Sequence, residues 1–135
     1  MKNSPNLNKK DHTCHNVTLG RLYLFDNYVV AEFKEGVDIN FDNFSDVTEI
    51  IKKQFNDQPF GFISNRLNSY SIDLTDATKF NTYFPNLKAY AIVAYTAMTR
   101  RVFEVENHFF NFNREAFKNL ELAAEWVEHT LTINS

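Results

Sequence analysis

A mixed, mainly parallel five-stranded α/β sheet, opened by a β-hairpin and packed with helices, is the fold class this sequence predicts. Three observations point to it. Strand-like apolar runs alternate with segments whose apolar residues recur every three or four positions, the pattern of strands joined by crossover helices. One run, Ala89 to Tyr95, shows no polar alternation and so suits a strand covered on both faces. The chain has 135 residues, 44% hydrophobic with 14 Phe and 6 Tyr, which is enough apolar material for one core. With only 3 Gly and 3 Pro, collagen-like repeats, Gly/Pro linkers and glycine-lined phosphate loops are excluded.

Residues 1–17 are polar and aperiodic and carry Pro5, so a flexible leader is expected there, with one domain over 18–135. From Arg21 to Phe33 a β-rich run is divided by Asp26-Asn27, two residues that tolerate a tight hairpin turn. Between Asp42 and Asn56, Phe44, Val47, Ile50, Ile51 and Phe55 share one helical face, with Asn40 or Asp42 as the cap. Pro59 stops that helix, and Phe60-Gly61-Phe62-Ile63 reads as the third strand. Leu74, Ala77, Phe80 and Phe84 form the next helical stripe, capped by Asp73 and ended by Pro85, and the strand from Ala89 follows. Met98, Val102, Val105 and Phe109 repeat the helical spacing, and a short fifth strand near Phe112 to Phe117 follows. The last helix, from about Leu120 to Leu131, is capped by Asn119 and turns Leu120, Ala123, Ala124, Val127 and Leu131 to one side. The order is ββαβαβα, with the short strand before the final helix.

Composition also bounds function. The formal charge of −3 creates no global field for nucleic acid or an anionic bilayer, and Lys9-Lys10, Lys52-Lys53 and Arg100-Arg101 are isolated pairs. MKNSPNLNKK lacks the apolar core of a secretory signal, and no stretch is long and apolar enough to cross a membrane, so a cytoplasmic protein is expected. The lone Cys14 agrees with a reducing compartment. Asp11, His12, Cys14 and His15 do not supply a closing pair for tetrahedral zinc, so no metal and no cofactor is assigned. No nucleophile elbow, Walker loop, dinucleotide fingerprint or HExxH motif is present, and the chain reads as a non-enzyme.

The stretch Arg114-Glu115-Ala116-Phe117-Lys118-Asn119-Leu120-Glu121-Leu122-Ala123-Ala124-Glu125-Trp126-Val127 resembles the ending of SpoIIAA-like domains: a strand phenylalanine, a capped helix, an alanine, then a tryptophan. With the preceding order of elements, the chain resembles the STAS and lipid-binding-like branch of that superfamily over residues 19–131. The resemblance implies partner binding, with a kinase or anti-sigma-type regulator as the class of partner, switched by phosphorylation where the third strand meets the second helix. That junction here lacks the Asp-Ser-(Ser/Thr)-Gly signature of the switched members. Ser69, Ser71 and Thr75 are candidate phosphoacceptors by position only.

In an open parallel sheet, the carboxyl ends of the strands face a crevice where ligands or partners dock. Asn65, Arg66, Asn68, Ser69, Tyr70 and Ser71 would emerge there, with Thr96, Thr99, Arg100 and Arg101 close by at the next helix start. Backbone N–H groups at helix starts and guanidinium forks favour an anion such as phosphate, phosphoserine or carboxylate. The competing view has the Asn and Ser residues building turns and the arginines pairing with Glu104 or Glu106. Phe109, Phe110 and Phe112 crowd one short segment, so they either pack in the core or cover an apolar cleft or subunit contact.

The leading expectation is therefore a non-enzymatic regulatory or protein-interaction module. It docks a partner through the loop after strand 3 and the start of the helix after strand 4. The alternative is a carrier for a small lipid or anionic metabolite, with phenylalanines lining a cavity of roughly 300 Å³ or more and an arginine on the acidic head. A homodimeric scaffold is the third option.

Overall fold

The computed structural model describes residues 12–133 and shows a six-stranded sheet with helices on both faces. Its elements are β1 (Thr13–Val17), β2 (Gly20–Leu24), β3 (Tyr28–Phe33), β4 (Asp38–Ile39), α1 (Ser45–Phe55), β5 (Phe60–Arg66) and β6 (Ser71–Ile72). They continue with a 3₁₀ turn (Leu74–Asp76), α2 (Ala77–Tyr83), β7 (Leu87–Ala94), α3 (Ala97–Glu106), β8 (Arg114–Phe117) and α4 (Leu120–Ile133). The large sheet has the order β1-β2-β3-β5-β7-β8. Its first three strands are antiparallel, and β3, β5, β7 and β8 run parallel. The mixed, mainly parallel α/β class agrees with the sequence-based expectation.

The sheet has one strand more than expected. Thr13–Val17 falls in the segment read as leader, yet it pairs along its length with β2, from Thr13 opposite Leu24 to Val17 opposite Gly20. Backbone pairing at a sheet edge needs little side-chain burial, so TCHNV joins the sheet without an apolar signature. The rest of the expected leader, residues 1–11, lies outside the described residues. Beyond this, β4 and β6 form a separate two-stranded parallel sheet.

Elsewhere the local rules hold. Phe25 donates its N–H to the Tyr28 carbonyl at 2.9 Å to close the hairpin. Asn119 accepts from Leu122 N–H at 2.9 Å and caps α4, whose five forecast core residues are all buried. Asp73 accepts from Thr75 N–H at 3.1 Å ahead of the turn leading into α2. Neither Asn40 nor Asp42 caps α1 with its side chain. Asn40 and Asn43 instead exchange backbone-to-side-chain bonds of 2.9 and 2.8 Å, forming a turn before the helix.

Two cores result. On one face α4 lies against β5 and β7 over Tyr28, Ile63, Ala89 and Ala91. Gly61 lets this helix approach closely, since a Cβ there would sit 2.3 Å from Val127 Cγ1. The other face is aromatic: Phe33, Phe44, Phe60, Phe62, Phe80 and Phe84 pack around α1 and α2.

The orientation of α3 puts its apolar stripe on the outside. Met98, Val105 and Phe109 are 64%, 55% and 45% exposed, and Val102 is also outward, while the helix buries Phe103 and Glu106. The apolar stripe that the spacing located is a surface. The helix turns its carboxylate inward because two buried guanidiniums await it there.

Candidate functional site

Strand β5 runs through Asn65 and Arg66, which were assigned to the following loop, and buries both. Alternation along the strand sends Phe62, Ser64 and Arg66 to the aromatic face and Asn65 to the other. In the parallel register Phe62 lies beside Tyr90 of β7, and Tyr90 beside Arg114 of β8. Arg66 and Arg114 thereby enter the same side of the molecule, beneath α3.

Both converge on Glu106. Arg66 Nη2 lies 2.9 Å and Arg114 Nη2 3.3 Å from the same Glu106 oxygen, Oε1, and the three side chains are 2%, 3% and 3% exposed. Arg66 Nε also donates to Ser64 Oγ at 3.3 Å, and the Ser64 and Tyr70 hydroxyls share a hydrogen bond. The Arg66 guanidinium lies over the Tyr70 ring. Burial opposes the charge of Arg66, but Tyr70, Tyr90 and Glu106 around it hold its pKa above the ordinary value. Burial pushes the Tyr70 phenol up to about 12, with Arg66 opposing, so Tyr70 stays neutral at physiological pH and offsets none of the positive charge.

Arg114 is held differently. Its Cζ lies over the rings of Tyr90, Phe103 and Phe110, 4.7, 4.6 and 5.1 Å from their centroids. Its Nη1 donates to Asn107 Oδ1 at 2.7 Å. Its Nε is buried and has no hydrogen-bond partner. Ring faces beside a guanidinium favour its charge but supply no oxygen or nitrogen acceptor for its N–H groups.

Arg114 also lines an apolar cleft of about 60 Å³ between the aromatic face of the sheet and α1 and α2. Phe33, Phe62 and Tyr90 form its floor, Ile51 and Phe80 come from the helices, Phe44 from the residue just before α1, and Phe110 and Phe112 from the segment after α3. Phe110 and Phe112 thus line a cleft, whereas Phe109 is on the surface. The volume falls well short of the roughly 300 Å³ expected of a carrier for a small lipid or anionic metabolite. Sequence reasoning assigned no role to Arg114. The available signal was a lone arginine set in the apolar neighbourhood of Phe110, Phe112 and Phe117.

The remaining junction residues are dispersed. Asn68 and Ser69 are exposed, and their loop is tied by Asn68 Nδ2 to the Phe33 carbonyl and by Ser69 N–H to Glu35 Oε1. Ser71 is exposed on β6 and donates to Asp38 Oδ1 at 2.7 Å, and Thr75 donates from its hydroxyl to Asp73 Oδ1. Thr96 caps α3 through Thr99 N–H, and Arg100 and Arg101 are exposed on that helix. Tyr70 lines the cleft.

Across the sheet, Asn65 donates to Glu32 Oε2 at 2.8 Å and accepts from the Tyr95 hydroxyl at 2.7 Å. Burial raises the Glu32 pKa above its ordinary 4.5, and the Asn65 bond opposes the rise only in part. A carboxyl held higher in the folded state contributes stability that is complete below the unfolded pKa and is lost as pH rises through the folded pKa. Glu32→Gln is therefore expected to flatten the decline in unfolding free energy that begins near pH 4.5 in the parent. Urea melts of both proteins across that window check it, and parallel profiles would reject the assignment.

The geometry defines a class first: an α/β domain with the SpoIIAA/STAS-like fold and a buried arginine pair at an aromatic cleft. Among solved structures, the chain is similar to an uncharacterized protein from the DUF3478 family with a SpoIIAA-like fold, from Shewanella loihica PV-4. The TM-score is 0.56 at 12% identity, and the alignment covers 87% of this chain and 92% of that one. No family model matches the chain, and no curated protein is significantly similar to it. Among the described residues, no helix is long and apolar enough to cross a membrane.

Proposed function

We propose that this protein is a non-enzymatic binding module for a small ligand with an acidic head and an apolar body. The observation that carries the reading is the buried excess of positive charge: two guanidiniums share one carboxylate beside an apolar cleft, and one of them keeps an unpartnered Nε. Burying unbalanced charge is costly, and an anionic ligand is the natural complement. Native mass spectrometry of the purified protein, beside the same sample denatured in acid, tests it. A small mass excess in the native spectrum, recovered as a free acid on denaturation, is expected. A bare chain that no small apolar acid protects against heat would reject the reading.

A second reading, a regulatory module that docks a protein, is favoured by the outward stripe of Met98, Val102, Val105 and Phe109 with Arg100 and Arg101 on the same helix. The loop at Asn68 and Ser69 belongs to that reading, but Arg66 would act only from within, as an anchor for α3.

A further inference from the structure

Independently of the ligand-binding reading, we infer that this chain assembles head to tail: the outward stripe of α3 on one copy seats antiparallel along the outward face of α4 on the next. The two faces share one spacing. On α3, Met98, Val102, Val105 and Phe109 follow one another by four, three and four residues, and all are exposed. On α4, Leu122, Trp126, His129 and Ile133 repeat those steps, with Leu122 and Ile133 45% and 66% exposed and Trp126 half-buried against Phe117. The core-facing residues of α4, from Leu120 to Leu131, take its opposite side. Steps of four and three are the heptad pattern on which two helices interlock.

Charge selects which helix meets which. α4 carries Glu121, Glu125 and Glu128 and neither Lys nor Arg. α3 turns Glu106 inward and shows Arg100 and Arg101 outside against Glu104. Arg101 stands one residue before Val102 and Glu125 one residue before Trp126, so they line the same flank of their stripes. Like flanks meet when helices pack antiparallel, which sets Arg101 beside the acidic flank of α4. A pair of α3 helices would bring arginine to arginine, and a pair of α4 helices glutamate to glutamate, so the mixed pair is the one that joins opposite signs. Among the described residues, neither Arg101 nor Glu125 has an ion-pair partner in its own chain.

The sheet separates the two helices. α3 covers the face that holds Arg66 and Arg114, and α4 covers the face of Tyr28, Ile63 and Ala91. One chain therefore cannot close the contact on itself, and each copy offers one basic and one acidic face. A heterologous contact of this kind repeats into a ring or an open chain. A single helix pair lies at the small end of interface size, so a Kd of about 10–100 µM is expected.

Sedimentation equilibrium of the full chain from about 5 to 500 µM, a span that brackets this Kd, tests the inference. The parent is expected to grow past the monomer mass as concentration rises. Val105→Glu on α3 and Leu122→Glu on α4, both at exposed positions, should each stay monomeric. Their equimolar mixture should form a heterodimer and stop there, because one intact face of each kind remains. Arg101→Glu is expected to weaken association by about fivefold or more, and adding Glu125→Arg to the same chain to recover it. Should a stripe variant fail to fold, the two charge variants, altered at exposed positions, carry the test alone. A parent that stays monomeric up to about 500 µM would overturn the inference and leave the α3 stripe to a different protein. A Leu122→Glu variant that still dimerises, or a double charge variant no stronger than Arg101→Glu, would overturn it as well.

Discussion

Replacing Glu106 by Gln is expected to cost about 3–5 kcal/mol of folding stability, because it keeps the shape of the side chain but strands two buried guanidiniums without a counter-charge. The comparison with Arg66→Met makes the prediction specific. That change leaves one arginine and one carboxylate, a balanced pair, and Met preserves bulk beside Tyr70. Arg66→Met should therefore be the milder lesion, although a conventional ion-pair argument would rank the two alike. Urea unfolding with an unchanged m-value measures both. If Arg66→Met proves as damaging as Glu106→Gln, the cluster carries no excess positive charge, and the case for an acidic ligand falls with it.

Gly61→Ala is expected to destabilise the protein by about 1–3 kcal/mol through overpacking on the opposite face of the sheet. The added methyl would lie 2.3 Å from Val127 Cγ1 and 3.4 Å from both the Ala89 carbonyl oxygen and Tyr28 Cβ. Only the first is a real collision, and it involves one methyl of one side chain. Val127→Ala alone opens a cavity in a fully buried position. Combined, the two changes fill and vacate the same space, so the double variant should be more stable than the summed single effects by at least about 1 kcal/mol. Simple additivity within about 0.5 kcal/mol would mean that α4 does not rest on β5 at this point.

Much of this architecture was legible because the central elements obey single rules. The apolar run from Ala89 to Ala94 lies in the parallel strand Leu87–Ala94, and Leu120–Ile133 is an amphipathic helix with small residues where it meets the sheet. The errors share a cause, since each concerns a polar group satisfied by something distant in sequence. Asn65 and Arg66 look like loop residues until Glu32, 33 positions away, and Glu106, 40 positions away, are seen to pair with them. The β1 segment is polar because its stabilisation is a backbone ladder. On α3, periodicity located the apolar stripe but did not say which way it faces, and the pull of two arginines on Glu106 decided against the hydrophobic face.

The candidate site was harder still to read. Its walls come from four strands of the large sheet, two helices, the β4–β6 ribbon and the segment after α3, so no window of sequence contains its pattern. The arginine requirement was anticipated at Arg66, Arg100 and Arg101, whereas the arginine that lines the cleft is Arg114. The ligand-binding alternative asked for phenylalanine-lined space with an arginine beside it at roughly 300 Å³ or more; the structure has phenylalanines and Arg114 around about 60 Å³.

The order β1-β2-β3-β5-β7-β8 has a consequence for synthesis. Each ribbon of the large sheet is laid beside the one that left the ribosome before it, and none has to be wedged between neighbours already in place. A nascent chain can therefore grow its sheet outward in the direction of translation. The arginine-rich aromatic chamber closes late, because Arg114 and Glu106 emerge after the floor that awaits them.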